Sequence, residues 1–168
     1  MILASQIGLL FSLLGLAWRD FQDRLISITW FAAFGILAIV GWQLDYFHSS
    51  LYDVVANSSF LIVSLSGLAV YHKFRFGSFL GFVDETFGLG DLLFLALLVL
   101  VLPFQAFVLF FIISSLIVLL GSLIYQLVSK QETFTIPLAG GQAVLLATYF
   151  ISKWWFDIDL LSFEMLML

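Results

Sequence analysis

The sequence predicts an all-α membrane protein, a polytopic helix bundle of about six transmembrane helices. Three observations carry that reading. Hydrophobic residues make up 63% of the 168 and charged residues only 10%, where a soluble domain carries about a quarter charged. The mean hydropathy is +1.17. The apolar residues fall in continuous runs of roughly 20 rather than on one face of each helix, so no soluble core of this length hides them. The chain has no cysteine, which excludes disulfides, thiolate metal sites and a thiol nucleophile. A formal net charge of −5 argues against nucleic acid, which requires a basic footprint to displace counterions.

The opening run, "MILASQIGLLFSLLGLAWRDF", lacks the basic n-region of a cleavable signal and is longer than a typical h-region, so it reads as a retained first span over 2–18. The next runs predict spans at 27–44 and 53–71. The fourth, 89–102, is short and has Pro103 at its end, which predicts a tilted helix that breaks before the fifth begins. Spans at 104–127 and 136–152 complete the set. Beyond Lys153, "WWFDIDLLSFEMLML" opens with an aromatic pair suited to the membrane interface and then mixes acids with apolar residues. The expected organisation is a six-span membrane domain over 1–153 and an interfacial C-terminal tail over 154–168. No internal repeat is evident.

Orientation follows from the basic residues. Arg19, Arg24, Lys73, Arg75 and Lys130 all fall in the first, third and fifth connections, with Lys153 alone on the opposite side. The positive-inside rule makes those three connections cytoplasmic. Asp45, Asp157, Asp159 and Glu164 then lie outside, with Asp53 near the same outer edge. The longest connection, "HKFRFGSFLGFVDETFGLG", carries Gly77, Gly81, Gly88 and Gly90 and is expected to fold back into the bundle. Irregular backbone at membrane depth must be buried in protein or line a wet cavity.

On this topology Asp20, at the end of the first span, and Asp91, at the start of the fourth, share the cytoplasmic face. Two carboxylates meeting at the edge of a low-dielectric bundle form a candidate acid/base dyad, because like charges a few ångströms apart do not both ionise readily and the pair holds a proton. The ionised member can take a proton from water as it attacks an amide carbonyl, while the protonated member hydrogen-bonds the carbonyl oxygen. Gly88 and Gly90 allow close approach to Asp91, and a helix N-terminus favours a carboxylate. The same facts allow a plainer reading in which Asp91 is a helix N-cap. Asp23 also competes with Asp20 for the first position.

At these residues the chain resembles the type IV prepilin peptidases, membrane aspartic proteases of the G-x-G-D type, in a short peptidase-only form. The family's first catalytic aspartate stands in a pattern like D-x-x-x-[KR]-x-I-P, which "DFQDRLIS" meets with Asp20, Arg24 and Ile26, leaving Asp23 off the pattern. The second closes G-x-G-D, here Gly88, Leu89, Gly90 and Asp91. In "FTIPLAGGQAVLL" Ile136 and Pro137 match the start of the family's last span. The chain departs at Leu93, where the family usually has lysine, and at Ser27, where it has proline.

The resemblance implies an aspartic endopeptidase in the bacterial cytoplasmic (inner) membrane, multi-pass, with its active site facing the cytoplasm. It would remove a basic leader from prepilin-like protein substrates, as type IV pilus and protein secretion systems require. Asp20 and Asp91 would be catalytic and Gly88, Gly90, Arg24, Ile26 and Pro137 would position them. Asp23, Asp84, Glu85 and Glu132 are candidate leader-binding acids, or merely solvated loop charges. No cofactor or metal is implied. Methyl transfer is not expected, since the cysteine-bearing insert of longer members is missing. Other partners are membrane lipids. His48 and His72 are isolated and not at metal-ligand spacing, and Asn57, Ser58 and Ser59 are expected to hydrogen-bond between helices. Two alternatives use the same residues: a catalytically decayed assembly factor that binds pilin-like helices, favoured by Leu93, or a small ion-coupled transporter.

Overall fold

The computed structural model describes residues 2–22, 28–45, 47, 49–76, 88–129 and 138–161. Within them the chain forms six α-helices: α1 (Ile2–Gln22), α2 (Ile28–Gln43), α3 (Leu51–Phe76), α4 (Leu89–Leu98), α5 (Phe104–Ser129) and α6 (Leu138–Trp155). The protein is thus an all-α helix bundle. α1, α3 and α5 are long and apolar enough to cross a membrane, whereas α2 and α4 are shorter apolar helices. The outward faces are correspondingly apolar, with Phe11, Trp18, Ile62, Val63, Leu120 and Ile124 all exposed. Lipid is the solvent that suits such a surface. The protein is therefore an integral membrane protein.

α6 is the centre of the packing. It lies against α1, α5 and α4; α1 also packs on α2, α2 on α4, and α3 on α5. The buried stripe of α6 runs Ala139, Ala143, Leu146, Ala147 and Phe150, a helical repeat of three and four. Small side chains in this stripe let neighbouring backbones approach, as helix pairs in lipid require. At Gly141 an added Cβ would lie 2.5 Å from Val118 Cγ2, so the Val118 side chain of α5 packs directly on the α6 backbone there. Phe34 of α2 and Phe94 of α4 stack with ring centroids 6.1 Å apart, and Phe60 of α3 meets Phe107 of α5 edge to face at 6.1 Å.

α4 has 10 residues and so spans about 15 Å, half of a hydrocarbon core. Pro103 precedes α5 rather than interrupting it, and its carbonyl accepts the first bond of that helix from Phe107 N–H at 2.9 Å. The turn between α4 and α5 is closed from α3. The fully buried Asn57 donates from Nδ2 to the carbonyls of Val99 at 3.1 Å and Leu102 at 2.8 Å, and Ser49 Oγ donates to Leu100 O at 3.2 Å. These side chains do for the turn what water cannot do inside a bilayer. The sequence expectation for the polar triplet in α3 therefore divides. Asn57 reaches across, but Ser58 and Ser59 bond back to Val54 O and Val55 O of their own helix, because a short hydroxyl side chain reaches the carbonyl one turn earlier more easily than a neighbouring helix.

At this same end, Ser50 and Asp53 open α3 as a reciprocal cap. Asp53 Oδ2 accepts from Ser50 N–H at 2.8 Å and Ser50 Oγ accepts from Asp53 N–H at 3.2 Å. Asp53 Oδ1 then accepts from Phe104 N–H at 3.0 Å, so one carboxylate serves the first turns of α3 and α5. α6 continues two residues past the expected tail boundary, through Trp154 and Trp155. The segment after it folds back on the helix. Lys153 pairs with Asp159 at 3.2 Å, Tyr149 donates to Asp159 at 3.1 Å, and Leu161 is buried. His72 is buried in the last turns of α3.

Candidate functional site

The opposite end of the bundle gathers the carboxylates singled out by sequence. In α1 the buried residues are Ser5, Leu9, Ser12, Leu13, Leu16 and Ala17; continuing that spacing by three or four puts Asp20 on the same face, in the last turn. In α4 the buried Phe94, Leu95 and Leu98 place Asp91 on the same face one turn earlier. Both faces look onto the first turn of α6.

There the two side chains do the same thing to consecutive residues. Asp91 Oδ1 accepts a hydrogen bond from Ala139 N–H at 2.7 Å, and Asp20 Oδ2 accepts one from Gly140 N–H at 2.6 Å. Consecutive residues repeat about every 3.8 Å, so with those two bond lengths the two bonded oxygens lie within about 9 Å of each other. First-turn N–H groups have no partner inside their own helix, and the positive end of the helix dipole favours negative charge. Two carboxylates from two other helices satisfy both needs. Each carboxylate is half-buried, and the charge of Asp20 acts on Asp91.

Asp91 is not the N-cap of α4. Gly88 holds that position in extended conformation, φ −63° and ψ 141°, and Asp91 stands in the first helical turn. An added Cβ on Gly88 would lie 3.3 Å from Asp91 Oδ2. At Gly140 the approach is closer, since a Cβ there would fall 2.8 Å from Asp20 Oδ2 and 3.0 Å from Asp20 Cβ. Gly90 is half-buried within the first turn of α4, and Leu93 is exposed beyond it. Arg24, Ile26 and Pro137, and the acids Asp23, Asp84, Glu85 and Glu132, lie outside the described residues, as does His48.

Sequence reasoning missed Ala139 and Gly140. The available signal was the start of an apolar run, just past Pro137, on the face assigned to Asp20 and Asp91; a helix beginning there presents N–H groups that need acceptors. One turn deeper, the fully buried Gln142 donates from Nε2 to Ser114 Oγ and Ser115 Oγ of α5, each at 3.2 Å, while its Oε1 has no hydrogen-bond partner among the described residues. Among the described residues no group of three His, Cys, Asp or Glu is placed to hold a metal ion. No family model, no curated protein and no solved structure matches the chain.

Proposed function

We propose that the chain is a membrane aspartic endopeptidase of the prepilin peptidase type, a six-span protein of the bacterial cytoplasmic membrane that removes basic leaders from prepilin-like substrates at the cytoplasmic face. The observation that carries the proposal is the meeting of Asp20 and Asp91, from the first and fourth helices, on consecutive amides of the sixth. In the proposed reaction one carboxylate is ionised and the other protonated. The ionised member takes a proton from water as its oxygen bonds to the scissile carbonyl carbon, and the protonated member hydrogen-bonds the carbonyl oxygen as it gains charge. Collapse of the tetrahedral intermediate breaks the C–N bond, and the leaving amine takes a proton from the carboxyl that has just gained one.

Asp→Asn variants at 20 and 91 test this directly. The amide keeps an acceptor oxygen for the α6 N–H groups, so each variant should remain folded in the membrane while cleavage of a co-expressed prepilin-like substrate drops by at least a hundredfold. Cleavage retained in both variants would refute the assignment. A second reading draws on the capping geometry itself: two carboxylates that satisfy a helix terminus have a structural task without any chemistry. Together with the exposed Leu93 in place of lysine, that favours a non-catalytic assembly factor for pilin-like helices. Binding of such a helix by the wild type with no cleavage is its signature.

A further inference from the structure

The structure assigns Gly140 as the positioning residue for Asp20: its N–H holds the carboxylate, and its missing side chain is the space the carboxylate occupies. The inference deepens the peptidase reading and rests on it for its kinetic arm only. Three atoms of Asp20 crowd the place where a Cβ on residue 140 would stand, Oδ2 at 2.8 Å, Cβ at 3.0 Å and Cγ at 3.3 Å. The contact with Asp20 Cβ matters most, because that atom is tied to the α1 backbone and cannot swing away by rotation about χ1. Any side chain at 140 therefore pushes α1 and α6 apart by tenths of an ångström or turns the carboxylate on the amide, and in either case the 2.6 Å bond is lengthened and weakened. Next along the helix, Gly141 is equally intolerant of a Cβ, but toward Val118 of α5. The two glycines thus offer matched steric insults, one aimed at the carboxylate and one away from it.

Dicyclohexylcarbodiimide, a lipid-soluble reagent that adds to protonated carboxyl groups, reads the contact without requiring turnover; a carboxylate that loses an N–H donor is less favoured in its ionised form. With the purified full chain in detergent, mass analysis of the Asp20 peptide should show several-fold more adduct in G140A than in wild type, while G141A stays at the wild-type level. In the cleavage assay G140A should lower kcat at least tenfold with KM within twofold, and G141A should retain kcat. Equal adduct in G140A and wild type, or an equal loss of kcat in G141A, overturns the assignment. If wild type cleaves nothing while G140A still raises the adduct, the positioning role stands and the peptidase reading falls. Should G140A not accumulate as folded protein, D20E probes the contact from the other side. Its longer side chain overreaches the amide, so adduct at that carboxyl should rise several-fold, and an unchanged level overturns the proposal.

Discussion

The shared terminus of α6 makes a quantitative prediction about Asp20 and Asp91 as a pair. Each carboxylate accepts a short N–H bond from α6, 2.6 Å for Asp20 and 2.7 Å for Asp91, and a hydrogen bond to a charged group contributes about 2 kcal/mol. The two charges also oppose each other. At the outer limit of about 9 Å and an effective dielectric constant of about 20, that repulsion is about 2 kcal/mol when both are ionised. Truncating either one to alanine loses a bond but relieves the repulsion, so D20A and D91A should each lose no more than about 1 kcal/mol. Removing both loses two bonds and recovers the repulsion only once, a net loss of about 2 kcal/mol by the same figures. The double-mutant cycle should therefore be non-additive by about 2 kcal/mol, with the double variant worse than the sum of the singles. Reversible unfolding in mixed micelles provides the measurement. As pH falls and both carboxyls are protonated, the repulsion vanishes and the cycle should become additive. Additivity at a pH high enough to ionise both carboxyls would refute the claim that the two charges share one helix end, whereas at a pH where the pair holds a proton the coupling should already be reduced.

Two further predictions concern packing away from the site. Asn57→Leu strands the carbonyls of Val99 and Leu102 but also removes Asn57 Oδ1, which has no partner among the described residues, so the same unfolding assay should register a net loss of about 1–3 kcal/mol, against a change within about 0.5 kcal/mol for Ser59→Ala. Gly141→Ala places a methyl 2.5 Å from Val118 Cγ2 and should cost about 1–3 kcal/mol by overpacking; adding Val118→Ala to the same chain should recover most of that loss, and no recovery would mean that α5 and α6 do not meet there.

Much of the architecture is legible in the amino-acid order because the apolar runs are long and their breaks are chemically distinct. Pro103 marks the α4–α5 junction, and the fourth run is legible as the short one, although its helix ends at Leu98 rather than at the expected 102 and the remaining residues form the turn. What the order hides is carried by groups every residue has. Ala139 and Gly140 bear no functional side chain, and it is their backbone N–H groups that the carboxylates bind. The polar triplet of α3 is similar: side-chain type says that Asn57, Ser58 and Ser59 need partners, but only the depth of the α4–α5 turn decides that Asn57 crosses while the serines stay home. Asp91 shows a third kind of ambiguity. An aspartate near a helix start reads as its cap, yet Gly88 holds the cap position of α4 and the aspartate, standing in the first turn, bonds the backbone of Ala139 in α6 as well as that of Gly88.

The bond between Asp20 and Gly140 joins residues 120 apart in the chain. During synthesis α1 is made first of the six helices and α6 last, so Asp20 enters the bilayer well before its amide partner exists. Contacts of such long sequence separation form late, after the intervening loops have been closed. Until then the Gly140 N–H that the Asp20 carboxylate binds in the folded protein has not been made. The contact therefore ties the first helix to the last only once the whole bundle exists. It is a record of completed assembly, and a chain interrupted before residue 138, where α6 begins, would lack it.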